Sequence, residues 1–160
     1  MKFNLLIIVV IPFLMSGCAT QLSLESATVQ EWVGGAAGSG GGSKYVVTIN
    51  KKGGKQVNIS SVWIGNRDKG VMAKANIFID NRMVNKVTAE MEQFRLEMSL
   101  TNRRRQGRDD PGGVVGEQPA NPNLPEEFQK GIIIKYTDHK GKEGQLIVQD
   151  LKRLDPLILP

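Results

Sequence analysis

The chain has one cysteine and one histidine in 160 residues. A lone thiol excludes an intramolecular disulfide, and a lone imidazole excludes a multi-histidine metal site. Aromatic residues are only 6% of the chain, so a core has to be built mostly from aliphatic side chains. Long apolar runs are scarce as well. The main one, Leu5–Met15, is eleven residues with Pro12 inside it, about half of the ~20 that a membrane-spanning helix needs. No internal repeat is present, nor the strand–helix alternation of a parallel α/β sheet. The length suits about one domain, which excludes a large multidomain enzyme.

What is present is sharpest at the amino terminus. Lys2 precedes the uncharged run, and Ser16-Gly17-Cys18 follows with small residues and a thiol. That order predicts a secretory signal peptide over residues 1–17, cut before Cys18. The stretch Leu14-Met15-Ser16-Gly17-Cys18 resembles the lipobox of bacterial lipoproteins, with Met15 where leucine is usual. The resemblance implies lipidation of Cys18 by a diacylglycerol carrying palmitate-like chains, and acylation of the new amino terminus. Ala19 in place of aspartate implies, by the same analogy, sorting to the outer membrane. Several acyl chains, at about 0.8 kcal/mol per buried methylene, hold such a protein permanently. The expected location is therefore the cell envelope. The membrane is its first partner through acylated Cys18, with envelope proteins or polysaccharide as further ones. The formal charge of +5 then reads toward anionic head groups or acidic polymer, and not toward nucleic acid.

Residues 18–26 are polar with two leucines and read as a tether, followed by one domain over 27–160. Alternating apolar residues predict strands at Ala27–Val33, Lys44–Asn50, Lys55–Ile64, Val71–Ile79, Ile132–Thr137 and Gln145–Gln149. Lys51-Lys52-Gly53-Gly54 has hairpin chemistry, and Gly65–Gly70 reads as a second turn. Residues 83–102 are ambiguous: Val84, Val87, Met91, Phe94 and Met98 fit a helix over 84–98, and Phe94, Leu96, Met98 and Leu100 fit a strand over Phe94–Leu100. The neighbouring hairpins favour the strand. Residues 103–130 hold four prolines and an arginine cluster, which excludes an ordinary helix or central strand and predicts an exposed, partly disordered loop. Leu151, Leu154, Leu157 and Leu159 are expected to pack on a sheet edge. The fold class is all-β: a single small antiparallel β-sandwich, immunoglobulin-like, with a long disordered insertion. Trp32-Val33-Gly34-Gly35, Gly38-Ser39-Gly40, Tyr45, Val62-Trp63-Ile64 and Leu154-Asp155-Pro156-Leu157 resemble small uncharacterised bacterial lipoproteins of one β-sandwich domain. That resemblance implies a fold and a location, and no activity.

Candidate chemistry is thin. Gly34–Ser43 has six glycines in ten positions, but Gly42-Ser43-Lys44 leads into a strand, where a phosphate loop leads into a helix. Asp138-His139 lies on a polar turn, and Ser60 and Ser61 lack a nucleophile-elbow context. Asp109-Asp110 lacks the spaced carboxylates of a calcium loop. Glu90, Glu92 and Glu97 read as solvent-facing. The charge cluster Arg103, Arg104, Arg105 and Arg108 is the candidate contact to lipid phosphates or acidic polymer. Trp32 and Trp63 are candidate sugar-stacking rings or core residues. The expectation is a non-catalytic binding or structural accessory module with no cofactor and no metal. The alternative is a surface glycan or acidic-polymer binder.

Overall fold

A computed structural model describes residues 21–35, 40–66, 69–102, 118–119 and 128–159. In chain order the strands are β1 (Gln21–Gly34), β2 (Gly41–Lys52), β3 (Val57–Asn66), β4 (Lys69–Ala73), β5 (Ala75–Ile79) and β6 (Arg82–Val84). Then come β7 (Gln93–Asn102), β8 (Gln118–Pro119), β9 (Lys130–Asp138), β10 (Glu143–Val148) and β11 (Lys152–Leu159). They form two sheets, ordered β11-β1-β2-β7-β5-β6 and β10-β9-β3-β4-β8. The described residues include no helix, and the all-β, two-sheet expectation holds.

Side chains along a strand alternate between faces, and that alternation builds the core. Val47, Ile49, Phe94, Leu96 and Met98 of the first sheet pack with Val57, Val62, Ile64, Ile132, Ile134 and Val148 of the second. In β7 the intervening Arg95 and Glu97 stay partly exposed, so the period-two reading of Phe94–Leu100 prevails over the helix. Residues 85–92 instead form an irregular link, pinned where Val87 bridges Val57.

The second sheet is apolar on both faces. Trp63, Phe128 and Ile133, with Ile147 beside them, form a separate cluster on the face away from the main core. This is why Val62-Trp63-Ile64 and Ile132-Ile133-Ile134 read as unbroken apolar runs, the pattern of a sheet covered twice. Phe128 meets Trp63 edge-on, with centroids 5.5 Å apart and planes at 70°, a favoured aromatic geometry. The Trp63 indole lies across Gly70, where a β-carbon would run into the ring.

Several expectations need correction. Lys51–Gly54 is not a hairpin: β2 and β3 lie in different sheets, so the segment is a crossing between them. Likewise Val71–Ile79 is two strands, divided at Lys74 where the chain changes sheet. The tether is shorter than residues 18–26, because β1 is already paired at Gln21↔Lys52. The sandwich is not purely antiparallel, since β1 and β11 run parallel. Nor is 103–130 wholly exposed: β8 pairs with β4 at Lys69↔Pro119 and Gly70↔Gln118, and Phe128 is fully buried. The apolar outer face of the second sheet supplies the reason, because Trp63 and Ile133 need cover. Leu154, Leu157 and Leu159 do lie on a sheet edge, in β11, while Leu151 precedes that strand and packs against the main core.

Candidate functional site

The sequence-derived candidates scatter. Cys18, Arg103, Arg104, Arg105 and Arg108 lie outside the described residues, as do Asp109 and Asp110. Trp63 is 5% exposed, which closes its ring faces to a ligand. Trp32 is half-buried; its ring packs over Gly42, its partner across the β1–β2 ladder. It sits opposite Leu157 on the other side, a residue 47% exposed. Asp138 and His139 form no working pair. The Asp138 carboxylate accepts the backbone N–H groups of Lys140 and Lys142 at 2.8 and 2.9 Å. These bonds, that from Lys142 foremost, hold it below the usual carboxylate range, while His139 points to solvent as an exposed turn residue. Glu97 is occupied by Lys44 at 2.8 Å and by Arg95 at 3.1 Å. Ser60 is exposed and Ser61 half-buried on β3. Among the described residues, no group of three His, Cys, Asp or Glu is placed to hold a metal ion.

Topology sets the remaining candidates relative to one another. Cys18 precedes the start of β1 by three residues, a reach of at most about 10 Å, and β1 starts beside Lys52. Asn102, from which the arginine segment departs, pairs with Gly41 at the end where β1 finishes. With a rise of about 3.3 Å per residue, these attachment points stand roughly 40 Å apart. The arginine segment instead leaves beside Trp32: Trp32, Gly42 and Thr101 are in register across three neighbouring strands.

The feature that residue patterns did not reveal lies along the margin of β1. A groove of about 790 Å³ opens there between the sheets, bordered by Leu24–Val29 and Tyr45 of the first, Ile64, Lys130 and Gly131 of the second, and the crossing segment Gln149–Arg153. Its size is that of a ligand cleft. Leu24, Ala27, Val29, Tyr45 and Leu151 line it with apolar surface, and Arg153 lies 3.8 Å from Glu31 on its rim. Both members of that pair are well exposed, so it contributes little stability. The chain crosses from β10 in the second sheet to β11 in the first along the groove's rim, and β11 pairs with β1 only from Thr28↔Lys152 onward. The period-two pattern Leu22, Leu24 inside the supposed tether was the one local signal that β1 extends this far.

Lys51 is the buried charge of the structure's described part, 6% exposed. Its ammonium donates to the carbonyls of Gly53, Lys55 and Ala89 at 2.9, 3.1 and 3.1 Å. It thereby fastens the β2–β3 crossing to the 85–92 link. Burial pushes its amino group below the usual lysine range, with Glu92 opposing. Its role is architectural.

Comparison of the chain with protein-family models, with curated proteins and with solved structures finds no match.

Proposed function

We propose that this protein is a lipid-anchored module of the cell envelope that acts by binding or bracing, without catalysis. The observation that carries the reading is the cysteine of Leu14-Met15-Ser16-Gly17-Cys18 standing three residues ahead of Gln21, where β1 begins. A lipidated Cys18 leaves almost no tether, so the sandwich would rest against the bilayer with its β1–β2 margin rising from it. Cleavage before Cys18 and thioether acylation give a membrane-bound chain of residues 18–160. The test is Cys18→Ser expressed in a Gram-negative host: the variant is expected to stay uncut by lipoprotein signal peptidase and to incorporate no labelled palmitate. A variant still processed and still labelled overturns the anchor.

The second reading, a binder of surface glycan or acidic polymer, has one observation in its favour. Trp32, half-exposed, stands in register with Thr101, two residues before Arg103. An aromatic ring close to the point from which a basic segment departs suits an anionic polysaccharide, with sugar stacking on the ring and guanidinium groups meeting carboxylate or sulfate. Dextran sulfate is expected to change Trp32 fluorescence in a salt-dependent way, and Trp32→Phe to abolish the change. Unaltered emission across the titration removes this reading.

A further inference from the structure

We propose that Pro156 guards the outer edge of β11, closing it to strand addition by a second copy of the chain. Among the described residues the two sheets end in β11, β6, β10 and β8. β6 and β8 are three and two residues long, too short to template a neighbour. β10 has six residues and β11 has eight. β11 is also exposed along its whole length, and its outer side has no strand partner among the described residues. It carries Leu154, Leu157, Ile158 and Leu159, which are 39–82% exposed. A long, apolar, exposed edge is where sheets of separate molecules join, unless something in the strand prevents it.

The backbone sets the proline on the side where it acts. In a trans peptide the N–H and C=O point opposite ways, and the described chain has no cis peptide. The Asp155 carbonyl accepts from Gln30 of β1 at 3.0 Å. The Pro156 nitrogen, on the other side of that peptide, therefore faces the outer edge. Further along, the Leu159 carbonyl accepts from the Gly35 N–H at 2.6 Å, which turns Leu159 toward β1 and, by alternation, Ile158 outward. An incoming strand would need donors at 156 and 158. It meets the N–H of Ile158, and a pyrrolidine methylene where the other N–H would stand. The bulge adds to the obstruction, because Asp155 and Pro156 together lie between Gln30↔Leu154 and Trp32↔Leu157, and such an insertion bends the strand. Lys152 and Arg153 put charge at its start, a further deterrent. What is closed is the backbone edge; the leucine faces stay open. The guard goes beyond the proposed function and does not depend on it, although anchoring at Cys18 would crowd copies together, where an unguarded edge pairs most readily.

The test is sedimentation velocity of the full chain over a wide range of concentration, for the unaltered sequence, Pro156→Ala and Pro156→Val. Both variants restore the missing donor at an exposed position. Alanine does so without added bulk, so a valine variant that folds poorly leaves the test intact. In a two-fold pair the restored donor counts twice, and each variant is expected to self-associate about tenfold more strongly than the unaltered chain. Association should slow amide exchange at positions 156 and 158. Adding Ile158→Lys to Pro156→Val is expected to reverse the gain. The proposal is overturned if neither variant associates more strongly, or if the association protects strands other than β11. It is equally overturned if the unaltered chain already pairs through β11 as tightly as the variants do.

Discussion

The centre of the second sheet and the β1–β11 margin of the first are built from the same kinds of residue and put them to opposite use. Ile132, Ile133 and Ile134 are buried to within 1% on both faces of β9. In β11, Leu154, Leu157, Ile158 and Leu159 are 39–82% exposed. Hydrophobicity along the strand does not distinguish them; what lies above and below does. β9 has β3 and β10 as neighbours, the main core on one face and Trp63 with Phe128 on the other. Among the described residues β11 has one strand neighbour, the second half of β1, with Asp155 and Pro156 bulging out opposite Glu31 and Gln30 donating to the Asp155 carbonyl at 3.0 Å. Stability is concentrated in the first region, and the surface available to a partner in the second.

That contrast is open to direct attack, beginning with the largest effect. Trp63→Ala and Phe128→Ala each remove a buried ring from the outer cluster and are expected to cost about 3–5 kcal/mol in urea unfolding. Ile158→Ala, at 82% exposure, is expected to cost about 0.5 kcal/mol or less. Equal losses at both places would erase the distinction. Gly70→Ala comes next, because its methyl has to displace the Trp63 indole; overpacking of this kind costs about 1–3 kcal/mol.

Lys51→Met removes the donor to three carbonyls and is expected to cost about 1–2 kcal/mol near neutral pH. The lysine also leaves a signature in pH. Its folded-state pKa is lowered from 10.5 by burial, so between the lowered value and 10.5 the unfolded chain holds more protons than the folded one. This group's contribution to stability therefore rises with pH through that window, and Lys51→Met should flatten the rise. The smallest effect is at Asp138. Its folded pKa is lowered by the N–H groups of Lys142 and Lys140, so its contribution is present above the ordinary aspartate range and fades as pH falls through the lowered value. Asp138→Ala is expected to speed amide exchange at Lys140 and Lys142 at pH 7, with the difference vanishing in acid.

Much of this fold was legible in the residues. Phe94, Leu96 and Met98 alternate with Arg95 and Glu97, and Ile132–Thr137 finds Gln145–Gln149 as its hairpin partner. The density of Val62-Trp63-Ile64 carried the burial of Trp63. Turn chemistry was legible only as far as a change of direction. Lys51–Gly54 bends the chain, but which sheet receives β3 is set by Val57 pairing with Asp138, eighty-one positions away in the chain. Lys74 gives no glycine or proline to mark the change of sheet. The turn at Asp80-Asn81 was also missed, although both residues take positive φ, 47° and 64°, and Ile79 pairs with Arg82 across them in the manner of a type I′ hairpin. The groove was beyond local reading altogether. Its walls come from β1 and β2 on one side and from β3, β9 and the Gln149–Arg153 crossing on the other, among them segments more than a hundred residues apart, and no residue pattern in any one of them records that they meet.

The account stands on one molecule having a closed half and an open half, and site-resolved amide exchange of the full chain tests it most directly. Every amide of Ile132–Ile134 should exchange only through global unfolding. Along β11, whose outer edge has no strand partner among the described residues, amides facing β1 should be protected and those on the outer edge should exchange much faster. Protection of β11 equal to that of Ile132–Ile134 would contradict the account.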